Sequence, residues 1–138
     1  MRRYVPAAVV SVIALAAFAA PASASIDHHF DVHSIQVSSK NDKTSFSFAE
    51  VLVSPYDSSV RVGRDRGICR LDQQGRKVDC TVKVHLNGLI GGHGAIKVRG
   101  DLERRDNKLY AAGGTHQFNG VGGKVLVHGN NIHFDLVK

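Results

Sequence analysis

Apolar and polar residues alternate along most of the chain after residue 24, which is the pattern of half-buried β-strands. Val, Ile, Thr, Phe and Tyr recur at every second position, and Gly or Asn interrupts them at short intervals. This pattern predicts strands at 29–37, 44–53, 58–63, 66–73, 76–86, 94–102, 107–112, 122–128 and 131–137. The third and fourth segments form a single strand if a bulge lies at Gly67, and the chain then has eight strands. Short strands joined by close turns predict an all-β, eight-stranded antiparallel β-barrel.

The most informative stretch is Val60–Leu86, which contains both cysteines of the chain, Cys69 and Cys80. A two-residue turn at Gln74-Gly75 places these cysteines directly opposite each other on an antiparallel hairpin. Opposed residues have Cα atoms about 4.5–5.5 Å apart, which is within reach of a disulfide. We therefore predict a Cys69–Cys80 disulfide, with two buried thiols on a core face as the alternative.

Residues 1–24 have a different pattern, that of a secretory signal peptide. Arg2 and Arg3 precede the apolar run Val5–Ala20, and Ala22-Ser23-Ala24 has the small-x-small form of a cleavage site. The run is short for a membrane span of about 20 apolar residues, although a retained anchor is the alternative. We predict a signal peptide at 1–24, a single barrel domain at 25–138, an extracellular location and no membrane association after cleavage. An oxidising compartment also favours the disulfide.

The charge pattern excludes the common nucleic-acid-binding classes. The formal net charge is +6, or +4 after loss of Arg2 and Arg3. The basic residues are spread along the chain without clusters or interleaved aromatic residues, which indicates a solvated surface.

The eight histidines do not have the spacing of a metal site. His28 and His29 are adjacent and would point to opposite faces of a strand. We expect no metal and no cofactor.

Alternation also indicates which residues face the barrel lumen. A carboxylate, Glu50, shares one strand face with three apolar residues, and Asp31 and His33 share another with Ile35 and Val37. A mostly apolar lumen with a few polar groups is typical of a small-ligand pocket. We predict that Asp31, His33 and Glu50 are the polar site residues and that the pocket is lined by Phe46, Phe48, Leu52, Cys69 and Leu71. The alternatives are an edge-strand position for Glu50 and a solvated barrel rim for Asp31 and His33.

Two segments resemble a known family. Val62-Gly63-x-x-x-Gly67-Ile68-Cys69 is similar to the I-G-x-x-x-G-I-C strand of plant allene oxide cyclases. The segment 109–125, with Gly-Gly-Thr, Phe118, Gly120 and Gly123, is similar to their A-x-T-G-G-[ST]-G-x-F-x-G-V-x-G-x-V segment and is shared with dirigent proteins. The resemblance implies an eight-stranded barrel with a lumenal pocket, often trimeric.

The resemblance also implies positions for pocket residues. Asp31 stands where the family has a glutamate on its first strand, and Phe48 and Cys69 match a pocket phenylalanine and cysteine. Both pocket asparagines of the family are replaced, by His33 and Glu50.

Two classes of function follow as hypotheses. The first is a secreted barrel that binds a small apolar ligand, with a cyclase or isomerase as its catalytic form. Asp31, His33 and Glu50 would then be catalytic, with a lumenal carboxylate that stabilises a cation or acts as an acid with a raised pKa. The alternative is a non-catalytic structural or interaction protein with a filled lumen, assembled as a homotrimer.

Overall fold

The computed structural model describes residues 26–74, 77–102 and 107–138. These residues form eight strands and one short 3₁₀ helix. The strands are β1 (His29–Asn41), β2 (Ser45–Val53), β3 (Arg61–Leu71), β4 (Val78–Asn87), β5 (His93–Leu102), β6 (Asn107–Gly114), β7 (Gly122–His128) and β8 (Asn131–Val137), and the 3₁₀ helix is His116–Phe118.

Each strand pairs antiparallel with its neighbours in the chain, and β8 pairs with β1 to close the barrel. Full closure leaves no free sheet edge. The prediction of an all-β, eight-stranded antiparallel barrel is therefore confirmed.

The β3–β4 hairpin has the register that the sequence predicts. Leu71 pairs with Val78 and Cys69 pairs with Cys80. The two cysteines form a disulfide, with Cα atoms 4.1 Å apart. The central turn residue Gly75 lies outside the described residues.

The predicted bulge at Gly67 is wrong. Gly67 pairs regularly with Phe48, and the register shift between β2 and β3 lies instead where Leu52 and Val53 meet the start of β3. Gly67 has a packing role, because a Cβ placed there would lie 2.3 Å from the ring of Phe48. Only a residue without a side chain lets that ring cover β3.

Aromatic side chains fill one end of the barrel. Phe118 of the 3₁₀ helix is fully buried in the core, and Ile26 packs in the same cluster. Phe30 and Phe134 stack across the β1–β8 seam with ring centroids 4.7 Å apart. The remaining space in the lumen therefore lies toward the other end.

The predicted signal peptide at 1–24 lies outside the described residues. Within the described part of the chain, the structure contains no helix of the length and apolarity that crossing a membrane requires.

Candidate functional site: a carboxyl pair in the barrel lumen

The lumen contains a cavity of about 130 Å³. Its wall is formed mainly by apolar side chains and the disulfide, and its polar members are Ser34, Glu50 and Asp65. The apolar members are Phe48, Val82, Val84, Val98, Leu102, Leu109, Val125, Val127, Ile132 and Phe134. Gly129, in the β7–β8 turn, also lines the cavity. The cavity therefore lies toward the end of the barrel opposite Phe118.

Glu50 and Asp65 occupy directly opposed positions on β2 and β3. Side chains at opposed positions lie on the same face of a sheet, and both of these line the cavity. Glu50 is partly buried, whereas only 3% of Asp65 is exposed. Strand alternation thus holds two carboxyl groups side by side inside the barrel.

The pair favours a neutral Asp65. Burial raises the pKa of Asp65 to about 8, and the negative charge of Glu50 and a hydrogen bond between the two side chains add to this shift. Because two close carboxylates in an apolar environment repel each other, one proton is retained between them. Asp65 is therefore a carboxylic acid at neutral pH, and its O–H group donates a hydrogen bond to Glu50.

The hydrogen bonding of Asp65 is incomplete. Its Oδ1 atom is buried and has no hydrogen-bond partner among the described residues. Such an atom loses its water on folding and gains nothing in return, at a cost of about 1–3 kcal/mol.

Three of the five predicted pocket residues are in or next to the lumen. Phe48 and Cys69 line the cavity, and Leu52 is fully buried in the core. Phe46 and Leu71 are more exposed and line a separate depression beside the β1–β2 turn. The pocket thus begins at Phe48 and extends away from Phe46.

Asp31 and His33 do not face the lumen, and the expectation that they share its wall with Glu50 is wrong. On β1 the buried positions are Phe30, Val32 and Ser34, so the odd-numbered residues point outward. Asp31 contacts the outer-face residue of β8 opposite it, His133, with Oδ1 and Nδ1 2.8 Å apart. Of the three predicted catalytic residues, the structure places only Glu50 in the cavity.

The phase of β1 was ambiguous in the sequence. Asp31, His33, Ile35 and Val37 alternate with Phe30, Val32, Ser34 and Gln36, and each set contains both polar and apolar residues. A register shift between Gln36 and Ser38 also breaks the alternation, so the odd-numbered Ser39 lies opposite the cavity-lining Phe48.

Asp65 was missed, although the sequence contained its signal. The hairpin register fixes Cys69 as inward, and period 2 extends that face backward through Gly67 to Asp65. Extending the parity by four residues would have identified Asp65 as a lumenal residue. Its position opposite Glu50 depends on the separate pairing of β2 with β3.

The histidines form separate contacts instead of a metal centre. Nδ1 of His29 lies 3.1 Å from Oδ1 of Asp135, and the ring of His93 packs edge-on against the ring of His116. In the described residues, no three His, Cys, Asp or Glu side chains are grouped so that they could hold a metal ion.

Comparison of the chain with known protein families and with curated proteins found no match. The resemblance of residues 62–69 and 109–125 to allene oxide cyclases and dirigent proteins stays a prediction from motifs. Function is best argued from the cavity and its carboxyl pair.

Proposed function

We propose that this protein binds a small, mostly apolar molecule in the lumen of its barrel, with Glu50 and Asp65 as the polar anchor. The observation that carries this proposal is a pair of acids, Glu50 and the buried Asp65, on the wall of an apolar cavity. Binding pockets commonly combine an apolar lining with a few placed polar groups.

The size of the cavity limits the ligand. A volume of about 130 Å³ is below the usual range for drug-sized ligands, roughly 300–1,000 Å³. It is close to that of an engineered cavity of about 150 Å³ that binds benzene. The ligand is therefore about the size of one six-membered ring, and the cavity argues against a lumen filled only by side chains.

The test is binding of a panel of ring-sized compounds, detected by ligand-observed NMR. We expect the wild-type protein to bind members of the panel and Val82→Phe to lose binding, because the added ring occupies the cavity that Val82 lines. Thr81→Phe is the matched control, since it places the same ring at the adjacent, exposed position. Equal binding by Val82→Phe and wild type would show that the lumen is not the site.

Catalysis by proton transfer is a second candidate function, and the raised pKa of Asp65 favours it. A carboxylic acid that stays protonated at neutral pH can donate a hydrogen bond or a proton to a ligand oxygen, with Glu50 as the adjacent base. An isomerase or cyclase would use this arrangement. Incubation of a bound ligand in D₂O tests the idea: deuterium uptake or rearrangement should occur with the wild type and be lost in Asp65→Asn.

Secretion and assembly are also proposals. The disulfide supports an extracellular location, because such bonds persist in oxidising compartments. Amino-terminal sequencing of the exported protein should give Ser25 as the first residue. The homotrimer stays a prediction, which the molar mass in solution would test.

A further inference from the structure

The lumenal carboxyl pair carries a negative charge that no described side chain balances. Of the residues that the structure describes, those that line the cavity include Glu50 and Asp65 but no Lys, Arg or His. When the two acids share one proton, the pair has a charge of −1. A buried charge without a partner is unfavourable, and a ligand of opposite sign would remove this cost.

The neighbours of Asp65 on every adjacent strand leave this charge exposed to the lumen. Asp65 lies between Glu50 on β2 and Val84 on β4. The basic residues beside it, Arg64 and Arg66, are exposed on the outer face because strand side chains alternate. Among the described residues, the basic side chains next to Asp65 on its own strand thus lie on the opposite side of the barrel wall.

The carboxyl pair specifies a hydrogen-bond donor. Both acids line the cavity, and the ionised member of the pair has only acceptor oxygens. An ammonium group provides several N–H donors together with a positive charge, so one group satisfies both requirements.

The residues beside the carboxyl pair favour a ligand that has an apolar body and a positive charge. Phe48 and Gly67 form the next inward-facing pair along the same two strands. The Phe48 ring covers Gly67 and lines the cavity beside the acids. The face of an aromatic ring attracts a cation within about 6 Å.

We propose that the lumen selects a small organic cation, a protonated amine attached to a single ring or a short apolar chain, whose N–H groups bind Glu50 and Asp65. This inference rests on the proposed function, because it requires that the lumen bind a small molecule. The ammonium balances the single negative charge of the pair. The pair keeps its shared proton, so the pair and the ligand together are neutral.

Calorimetry with benzylamine and benzyl alcohol tests the proposal. The two probes have the same ring and nearly the same size, but only benzylamine is charged at neutral pH. We expect benzylamine to bind at least about tenfold more tightly, as a charge-assisted hydrogen bond allows. Titrations in two buffers of different ionisation enthalpy should give the same binding enthalpy for benzylamine, because the carboxyl pair keeps its proton.

Matched variants separate the possible outcomes. Glu50→Gln should lower the affinity for benzylamine to that for benzyl alcohol, because it removes the ionised member of the pair, and Asp135→Asn on the outer face should leave it unchanged. Benzyl alcohol binding as tightly as benzylamine would overturn the cation proposal while leaving lumenal binding intact. Binding of neither probe would overturn this proposal, and failure of the whole ring-sized panel would overturn the proposed function as well.

Discussion

Glu50 and Asp65 face each other across β2 and β3 on the inner wall of the barrel, where the negative charge of one helps to keep the other protonated. An arrangement of this kind is unfavourable for folding, because it buries two acids in an apolar cavity. Its presence beside an open volume supports the proposal that the lumen binds a ligand.

The free energy of unfolding should fall as pH rises from about 4 to about 8, because Asp65 titrates near 3.8 when unfolded and near 8 when folded. In this window the folded protein holds a proton that the unfolded chain has released, so higher pH favours unfolding. Asp65→Asn removes this titration. The variant should be more stable than wild type above pH 8, by about 1–3 kcal/mol.

Urea unfolding at a series of pH values measures this effect. Asp135→Asn is the control, since Asp135 lies on the exposed outer face beside His29. A parallel pH profile for Asp65→Asn and wild type would contradict a protonated Asp65.

Much of the fold could be predicted from the sequence, because each step used local information. The alternation identified the strands, and the turn at Gln74-Gly75 set the register that brought Cys69 opposite Cys80. The turn of a hairpin sets the register of its two strands, and strand side chains alternate between the two faces. Together, the turn and the alternation determine which side chains share a face.

The site was harder to predict because it depends on contacts between distant strands. Glu50 could be assigned to the lumen from its own apolar neighbours on β2. The sequence did not show which face of β1 points into the lumen. The pairing of β1 with β8 and the burial of Ser34 identify that face. The raised pKa of Asp65 depends on the cavity and on Glu50, neither of which its adjacent residues reveal.

Asp31→Asn should have little effect on stability and none on lumenal binding. Asp31 pairs with His133 on the outer face, where their side chains are 44% and 34% exposed. Ion pairs at such positions contribute about 0–1 kcal/mol. Urea unfolding and benzylamine titration of the variant test this prediction. A large loss of affinity would show that Asp31 is part of the binding site.

Gly67→Ala should destabilise the barrel by about 1–3 kcal/mol, the usual cost of overpacking a core. The added methyl group would overlap the ring of Phe48 and force it to move within the cavity. Gly122→Ala is the matched control in another strand, because the nearest atoms to its Cβ are 3.8 Å away. Equal thermal stability of the two variants would show that the Phe48–Gly67 contact is unimportant.

Replacing both Cys69 and Cys80 with alanine should lower the free energy of unfolding by about 3 kcal/mol, the value expected when a short loop loses its cross-link. Wild type treated with a reductant should show a similar loss. The barrel should still form, because the β3–β4 register is also supported by pairs from Gly63 to Leu71. An unchanged midpoint in urea would contradict a stabilising role for the disulfide.

The most direct test is an NMR titration of the Asp65 side-chain carboxyl carbon in ¹³C-labelled protein, with Asp65→Asn used to assign the signal. A midpoint near 8 would establish that the lumen holds a protonated acid next to Glu50. A midpoint near 3.8, the ordinary value, would show that Asp65 is ionised at neutral pH, and the shared proton on which this account of the cavity depends would not exist.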